Sequence, residues 1–98
     1  MKIDKSLDHA VLTLKFEGML DTTTAPMLGK IVETELAGVQ ELILDCAALV
    51  YVSSAGLRVI LTAQDIMDEQ GRMKVIHVNE MVMEIFDITG LVDLLTIE

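Results

Sequence analysis

Ninety-eight residues supply one domain with one hydrophobic core, and a two-domain enzyme is excluded at this length. Hydrophobic side chains make up 52% of the chain, drawn from aliphatics and seven methionines rather than from the 3% that are aromatic, so intrinsic disorder is excluded as well. Sixteen acidic against seven basic residues give a net charge of −9, which opposes binding to phosphate backbones and anionic membranes, so neither nucleic acid nor a membrane is expected as a partner.

The chain opens on alternating charged and apolar residues and holds no signal-peptide core there. Its longest uncharged stretch, Cys46 to Leu57, is far short of the roughly 20 residues a membrane-spanning helix needs. A cytoplasmic chain is expected. Cys46 has no partner for an intramolecular disulfide and lies in an apolar run, the setting of a buried thiol that packs as a small hydrophobe. His9 and His77 are isolated and there is no C-x-x-C pair, so neither a metal site nor a cofactor is read from the sequence.

Met1 to Leu7 reads as an edge strand, its lysines and Asp4 guarding the exposed edge, with a turn at Asp8-His9. From His9 to Phe16, Ala10, Leu12, Leu14 and Phe16 alternate with Val11, Thr13 and Lys15, the period of a half-buried strand. Asp21 to Thr24 offer N-caps, and Pro26 falls in the first turn of a helix running to about Ala37. Leu28, Ile31, Val32 and Leu36 form its apolar stripe, and Gly38 is placed to end it. Leu42, Ile43 and Leu44, ending at Asp45, predict a short strand covered on both faces and hence paired in parallel.

The unit repeats. A second helix, Ser54 to Gln70, carries Leu57, Ile60, Leu61, Ala63, Ile66 and Met67, stops at Gly71 and leads to a strand, Met73 to Val78. Asn79 caps a third helix, Glu80 to about Thr89, with Met81, Val82, Ile85, Phe86 and Ile88 on its apolar face; after Gly90 a last strand is predicted from Leu91 to Ile97. The order ββαβαβαβ describes a single α/β domain, residues 1–98, with a mixed, mostly parallel sheet, an N-terminal β-hairpin and three main helices.

In parallel α/β architecture the loops after strand carboxyl ends meet ligands and partners, which singles out Asp45 through Arg58. Ser53 and Ser54 stand where an apolar segment turns into helix, and either serves as an N-cap contributing about 0.5–2 kcal/mol. Gly56 costs about 1 kcal/mol relative to alanine within a helix, which points to a close approach there, by a neighbouring strand or by a partner protein. A serine hydroxyl at a helix N-terminus also suits a phosphate acceptor, because free N–H groups and the helix dipole stabilise an added anion.

Gly18-Met19-Leu20-Asp21 with Thr24-Ala25-Pro26, Leu42-Ile43-Leu44-Asp45, and above all Val52-Ser53-Ser54-Ala55-Gly56-Leu57-Arg58-Val59-Ile60-Leu61 resemble STAS domains, and among them the bacterial anti-sigma factor antagonists. The resemblance spans almost the whole chain. It implies a phosphorylation-switched module that, unphosphorylated, binds an anti-sigma factor serine kinase and releases a sigma factor, so regulating transcription. The family's acceptor serine, two residues before the motif glycine, corresponds to Ser54; Ser53 is the second choice, standing where many members carry aspartate, and Ala55 replaces a following serine. The turn aspartate that helps bind the kinase corresponds to Asp21. The implied docking face is Asp21, Ser53, Ser54, Gly56, Leu57 and Arg58. The kinase supplies ATP and magnesium, a phosphoserine phosphatase resets the switch, and the chain is a substrate rather than an enzyme.

A STAS module of another regulatory or sensory assembly carries the same features. Two readings come from other classes. A serine hydrolase would use Ser54 as nucleophile, but of the Gly-x-Ser-x-Gly elbow only Gly56 is present, with Val52 in the first glycine position, and His9 and His77 fall on predicted strands. A receiver-like aspartyl phosphoacceptor would use Asp45 at a strand end with Asp21 in an acid cluster; it needs a lysine at the end of a late strand, and Leu91 to Ile97 has none.

Overall fold

The computed structural model describes residues 1–98. Alternation of apolar and polar side chains gives the N-terminal hairpin, β1 (Lys2–Asp8) antiparallel to β2 (Val11–Leu20), with Leu7 opposite Leu12 next to the turn. β2 pairs in parallel with β3 (Glu41–Val52) and β3 in parallel with β4 (Arg72–Ile76), so the sheet order is β1-β2-β3-β4. The crossovers are α1 (Ala25–Thr34) and α2 (Ser54–Gln70), and α3 (Glu80–Ile88) follows β4. The register aligns Leu12 with Leu42, Leu14 with Leu44, and those two with Met73 and Val75, so a single sheet face becomes apolar. That face and the helix stripes, Leu28, Ile31 and Val32 of α1, Leu57, Ile60, Ala63 and Met67 of α2, Val82 and Phe86 of α3, form one continuous core.

Several sequence expectations change here, each for a local reason. The sheet is covered on one face, not both: Ile43, between the buried Leu42 and Leu44, is only half-buried, and Lys15 and Glu17 stand exposed on the far side of β2. β3 does not stop at Asp45 but runs on to Val52. Its buried residues fall at Leu44, Cys46, Leu49 and Val52, because β3 carries an extra residue at two bulges. Between the pairs Lys15–Asp45 and Glu17–Ala48 it advances three residues against two, and between Gly18–Leu49 and Met19–Tyr51 two against one. α1 ends at Thr34, short of Ala37, with Gly38 in the following turn at φ +80°. β4 ends at Ile76 because His77 turns the chain at φ +58°.

The predicted last strand, Leu91 to Ile97, is instead a 3-10 turn at Leu91–Asp93 followed by one parallel bridge between Ile97 and Val75. Leu91 and Leu95 are both buried while Asp93 between them, which alternation would place on the same face, is exposed, so the order is ββαβαβα with a short terminal bridge. On α3, Val82 and Phe86 take the core while Met81 and Ile88 of the predicted apolar face point outward. Phe86→Ala is expected to lower stability by about 3–5 kcal/mol and Ile88→Ala by under about 0.5 kcal/mol, read from urea unfolding midpoints; equal effects would contradict this packing.

Candidate functional site

The carboxyl ends of β2 and β3 are held together at Leu20 and Val52, the last pair of their register, so the segments leaving them start side by side. Asp21 follows Leu20 and opens a tight turn into α1. Its Oδ1 accepts from the N–H groups of Thr23 and Thr24, both at 3.0 Å, while its own N–H donates to the Thr24 hydroxyl at 2.8 Å, whose one proton is shared between the Met19 carbonyl at 2.7 Å and Asp21 Oδ1 at 3.1 Å. Asp21 thus closes the turn that precedes α1, whose N-cap residue is Thr24 and carries no side-chain cap bond. The Thr24 N–H foremost, with further hydrogen bonds from the Thr24 hydroxyl and the Thr23 N–H, holds the Asp21 carboxyl below its ordinary value despite some desolvation. These bonds all use Oδ1, leaving Oδ2 without a hydrogen bond.

Ser53 follows Val52 and is tied to β2 by its N–H, which donates to the Leu20 carbonyl at 2.8 Å. It is the N-cap of α2: its backbone is extended, its hydroxyl accepts from the Gly56 N–H at 3.4 Å, and its carbonyl accepts from the Leu57 N–H at 2.9 Å. The choice between the two serines is therefore resolved for capping. Ser54 is the first helical residue, exposed, with its hydroxyl in no hydrogen bond. Gly56 is buried, and a Cβ there would lie 2.8 Å from both the Leu20 backbone oxygen and its Cγ. The close approach is thus made by the neighbouring strand. Of the residues of the expected docking face, Gly56 and Leu57 are buried, while Arg58 is exposed and forms no ion pair.

The other singled-out residues lie apart from this corner. Asp45 sits mid-strand on β3, its side chain 12% exposed, accepting from the Ala47 N–H at 3.1 Å and bonded to His77 Nδ1 at 2.9 Å. It is not at a strand end, as the receiver reading requires. Neither histidine is on a strand: His9 lies in the β1–β2 turn at the opposite end of the sheet from Ser54, and His77 engages Asp45 rather than a serine. The four surface concavities, of roughly 190 to 430 Å³, are all lined by residues other than Asp21, Ser53 and Ser54, which leaves a hydrolase without a substrate pocket at its nucleophile. Burial, with the adjacent Asp45 charge, pushes the Cys46 thiol up to about 12, so it packs and does not react.

A family model for the STAS domain matches residues 2–98. The chain belongs to the STAS domain family. It is 32% identical over 96 residues to a Bordetella bronchiseptica protein named "Putative anti-sigma factor antagonist BtrV", covering 92% of this chain and 79% of that one. Among solved structures, an anti-sigma factor antagonist from Mycobacterium paratuberculosis superposes with a TM-score of 0.87 at 18% identity, over 98% of this chain and 83% of that one. The anti-sigma factor antagonist SpoIIAA in its unphosphorylated form gives 0.78 at 13% identity, over 99% and 87%. The phosphorylated form of Bacillus SpoIIAA also gives 0.78, at 15% identity over 99% and 91%. At these identities the solved structures bear on the fold of this STAS chain.

Reading the chain for charge and motif missed one part of the corner. Met19, Val50 and Tyr51, on the strands leading into it, are all large, apolar and exposed. Strand alternation alone would have buried either Val50 or Tyr51, and the signal that exposes both is the bulge, which pairing alone reveals.

Gly56→Ala is expected to lower stability by about 1–3 kcal/mol, since the Leu20 carbonyl belongs to the sheet and cannot yield, and an unchanged unfolding midpoint would contradict the contact. Asp45 supplies a second expectation. Burial pushes its carboxyl up, but the His77 hydrogen bond, the Ala47 N–H and the Lys15 charge outweigh this and leave it below the ordinary 3.8. Its contribution to stability is therefore complete above 3.8 and is lost as pH falls through the lower folded value. Between about pH 5 and pH 2.5, the urea midpoint of the wild type is expected to fall more steeply than that of Asp45→Asn; parallel profiles would show the pair to be energetically silent.

Proposed function

We propose that this STAS chain is an anti-sigma factor antagonist that acts in the cytoplasm as a phosphorylation-switched binding module. Unmodified, the corner formed by Asp21, Ser53, Ser54 and Arg58 docks on an anti-sigma factor serine kinase and frees a sigma factor; phosphorylated on Ser54, it does not dock. The observation that carries this reading is the exposed, unbonded hydroxyl of Ser54 at the first position of α2, next to a capping serine that holds its own hydroxyl inward. The relationship to the Bordetella protein and the likeness to SpoIIAA, solved in both unphosphorylated and phosphorylated forms, support it.

The physical logic is a change in charge at an interface. The first N–H groups of α2 and its dipole make a favourable setting for a phosphate, so modification spares the fold. The same phosphate adds about −1.5 to −2 charges to the docking surface. One unit of like charge at about 6 Å costs roughly 3 kcal/mol at an effective dielectric of 20, and about 1.4 kcal/mol is tenfold in affinity. The kinase brings ATP and magnesium, and a phosphoserine phosphatase restores docking.

Incubation with the cognate kinase and ATP is expected to give one phosphate, mapped to Ser54 by mass spectrometry, and Ser54→Asp is expected to weaken binding at least about tenfold. Modification at Ser53 alone, or an aspartate variant that binds as tightly as the wild type, would overturn the switch.

A further inference from the structure

The bare face of the sheet is divided along its strands. Toward the amino ends of the parallel strands it is mixed, with Thr13, Lys15, Asp45 and Lys74 set among the half-buried Ile43 and Ile76 by the register. Toward the carboxyl ends it is apolar: Met19 is paired with Tyr51, Val50 is the extra bulge residue between Leu49 and Tyr51, and Ala48 is exposed below them. Met19, Val50 and Tyr51 are 51%, 51% and 42% exposed. Their exposure is built by the backbone. The bulge lets Leu49 and Val52 both reach the core while the two residues between them point outward, an arrangement regular alternation forbids.

Two exposed aliphatic chains and a tyrosine side by side form a contiguous apolar patch of the kind that marks an interaction surface, and Tyr and Met are enriched in interface cores. The patch adjoins the docking corner, because Met19 and Tyr51 each stand two residues before the chain enters it, at Asp21 and Ser53. Its acidic rim indicates the partner's chemistry. Glu17, the register partner of Ala48, and Asp21 form no ion pair, Lys2 opposite Glu17 on β1 being turned to Asp4, and the whole chain carries a charge of −9. Such a patch is complementary to an apolar pocket framed by lysine and arginine.

We propose that Met19, Val50 and Tyr51 form the apolar anchor by which this chain docks, seated in a basic-rimmed apolar pocket of the anti-sigma factor. This rests on the function proposed above. The phosphoserine acts as the switch, and the anchor supplies affinity and selects the partner.

Calorimetric titration of the purified cognate anti-sigma factor kinase with wild type, a Met19→Ser/Tyr51→Ser double variant and Leu7→Ser tests the assignment. Leu7 is as exposed as the anchor residues but lies on the β1–β2 turn end of the sheet. The double variant is expected to bind at least about tenfold more weakly, with Leu7→Ser unchanged. Wild-type affinity is expected to fall as salt is raised. Val50→Asp alone carries the test should the double variant fail to fold. Wild-type binding with an unaffected double variant overturns the anchor alone, and salt-insensitive binding overturns its basic-rimmed pocket. Self-association of the free chain that the double variant abolishes reassigns the patch to a second copy and overturns the proposal. No wild-type binding at all overturns both the anchor and the function on which it rests.

Discussion

The pairing of Leu20 with Val52 is the constraint on which the rest of the molecule's working end depends. Leu20 is fully buried, its carbonyl accepts the Ser53 N–H, and its side chain and carbonyl together fill the space that a side chain at residue 56 would need. One residue thus sets the end of β2, the start of α2 and the separation of the two loops. The hydrogen bond itself is worth only about 0.5–1.5 kcal/mol net. The larger share comes from burying Leu20, Leu49 and Val52, at roughly 1.5–3 kcal/mol for each large aliphatic side chain. Asp21 and Ser54 share a corner because core packing leaves no alternative placement, not because they attract one another.

That origin suits a switch. A hydroxyl held by its own hydrogen bonds would have to break them to accept a phosphate, and the fold would register the change. Ser53 carries the capping duty instead, so Ser54 is free of structural work. At the α2 N-terminus an added anion gains about 0.3–1 kcal/mol from the dipole. Across a docked interface the same charge costs several times more. In the switch proposed above, a phosphate on Ser54 would therefore act almost wholly on the partner, with no conformational change of the domain needed to transmit it.

How much was legible in the sequence follows from where local and long-range physics agree. α2 was readable from end to end, because a capping serine, an apolar stripe of helical period and Gly71 all mark the same boundaries, Ser54 and Gln70. β3 was readable only to Asp45, because its two bulges break the period of two and are set by pairing with β2, which no local window contains. The last strand was misread because Leu91, Val92, Leu94 and Leu95 supply a short apolar run that a strand and a helical turn can both carry. Gly56 stood out correctly as a point of close approach, but a glycine cannot say what approaches it. The sheet, not a partner, turned out to occupy that space.

The same strands serve two purposes through alternate residues. Leu20, Leu49 and Val52 face the core and fix the backbone path; Met19, Val50 and Tyr51 face water and contribute little to that path. Solved structures that share 13–18% of their residues with this chain follow nearly the same course over almost its full length, so the path tolerates wide change in sequence. Side chains that the fold does not need are the ones free to choose a partner, and here they are large, apolar and exposed at a bulge that forces them outward. A polar substitution at Tyr51 would cost the folded domain little, since surface changes away from caps and the core typically fall within about 0.5 kcal/mol. Stability gives no reason for three such side chains to stand beside an unbonded serine, and the proposed docking surface supplies one.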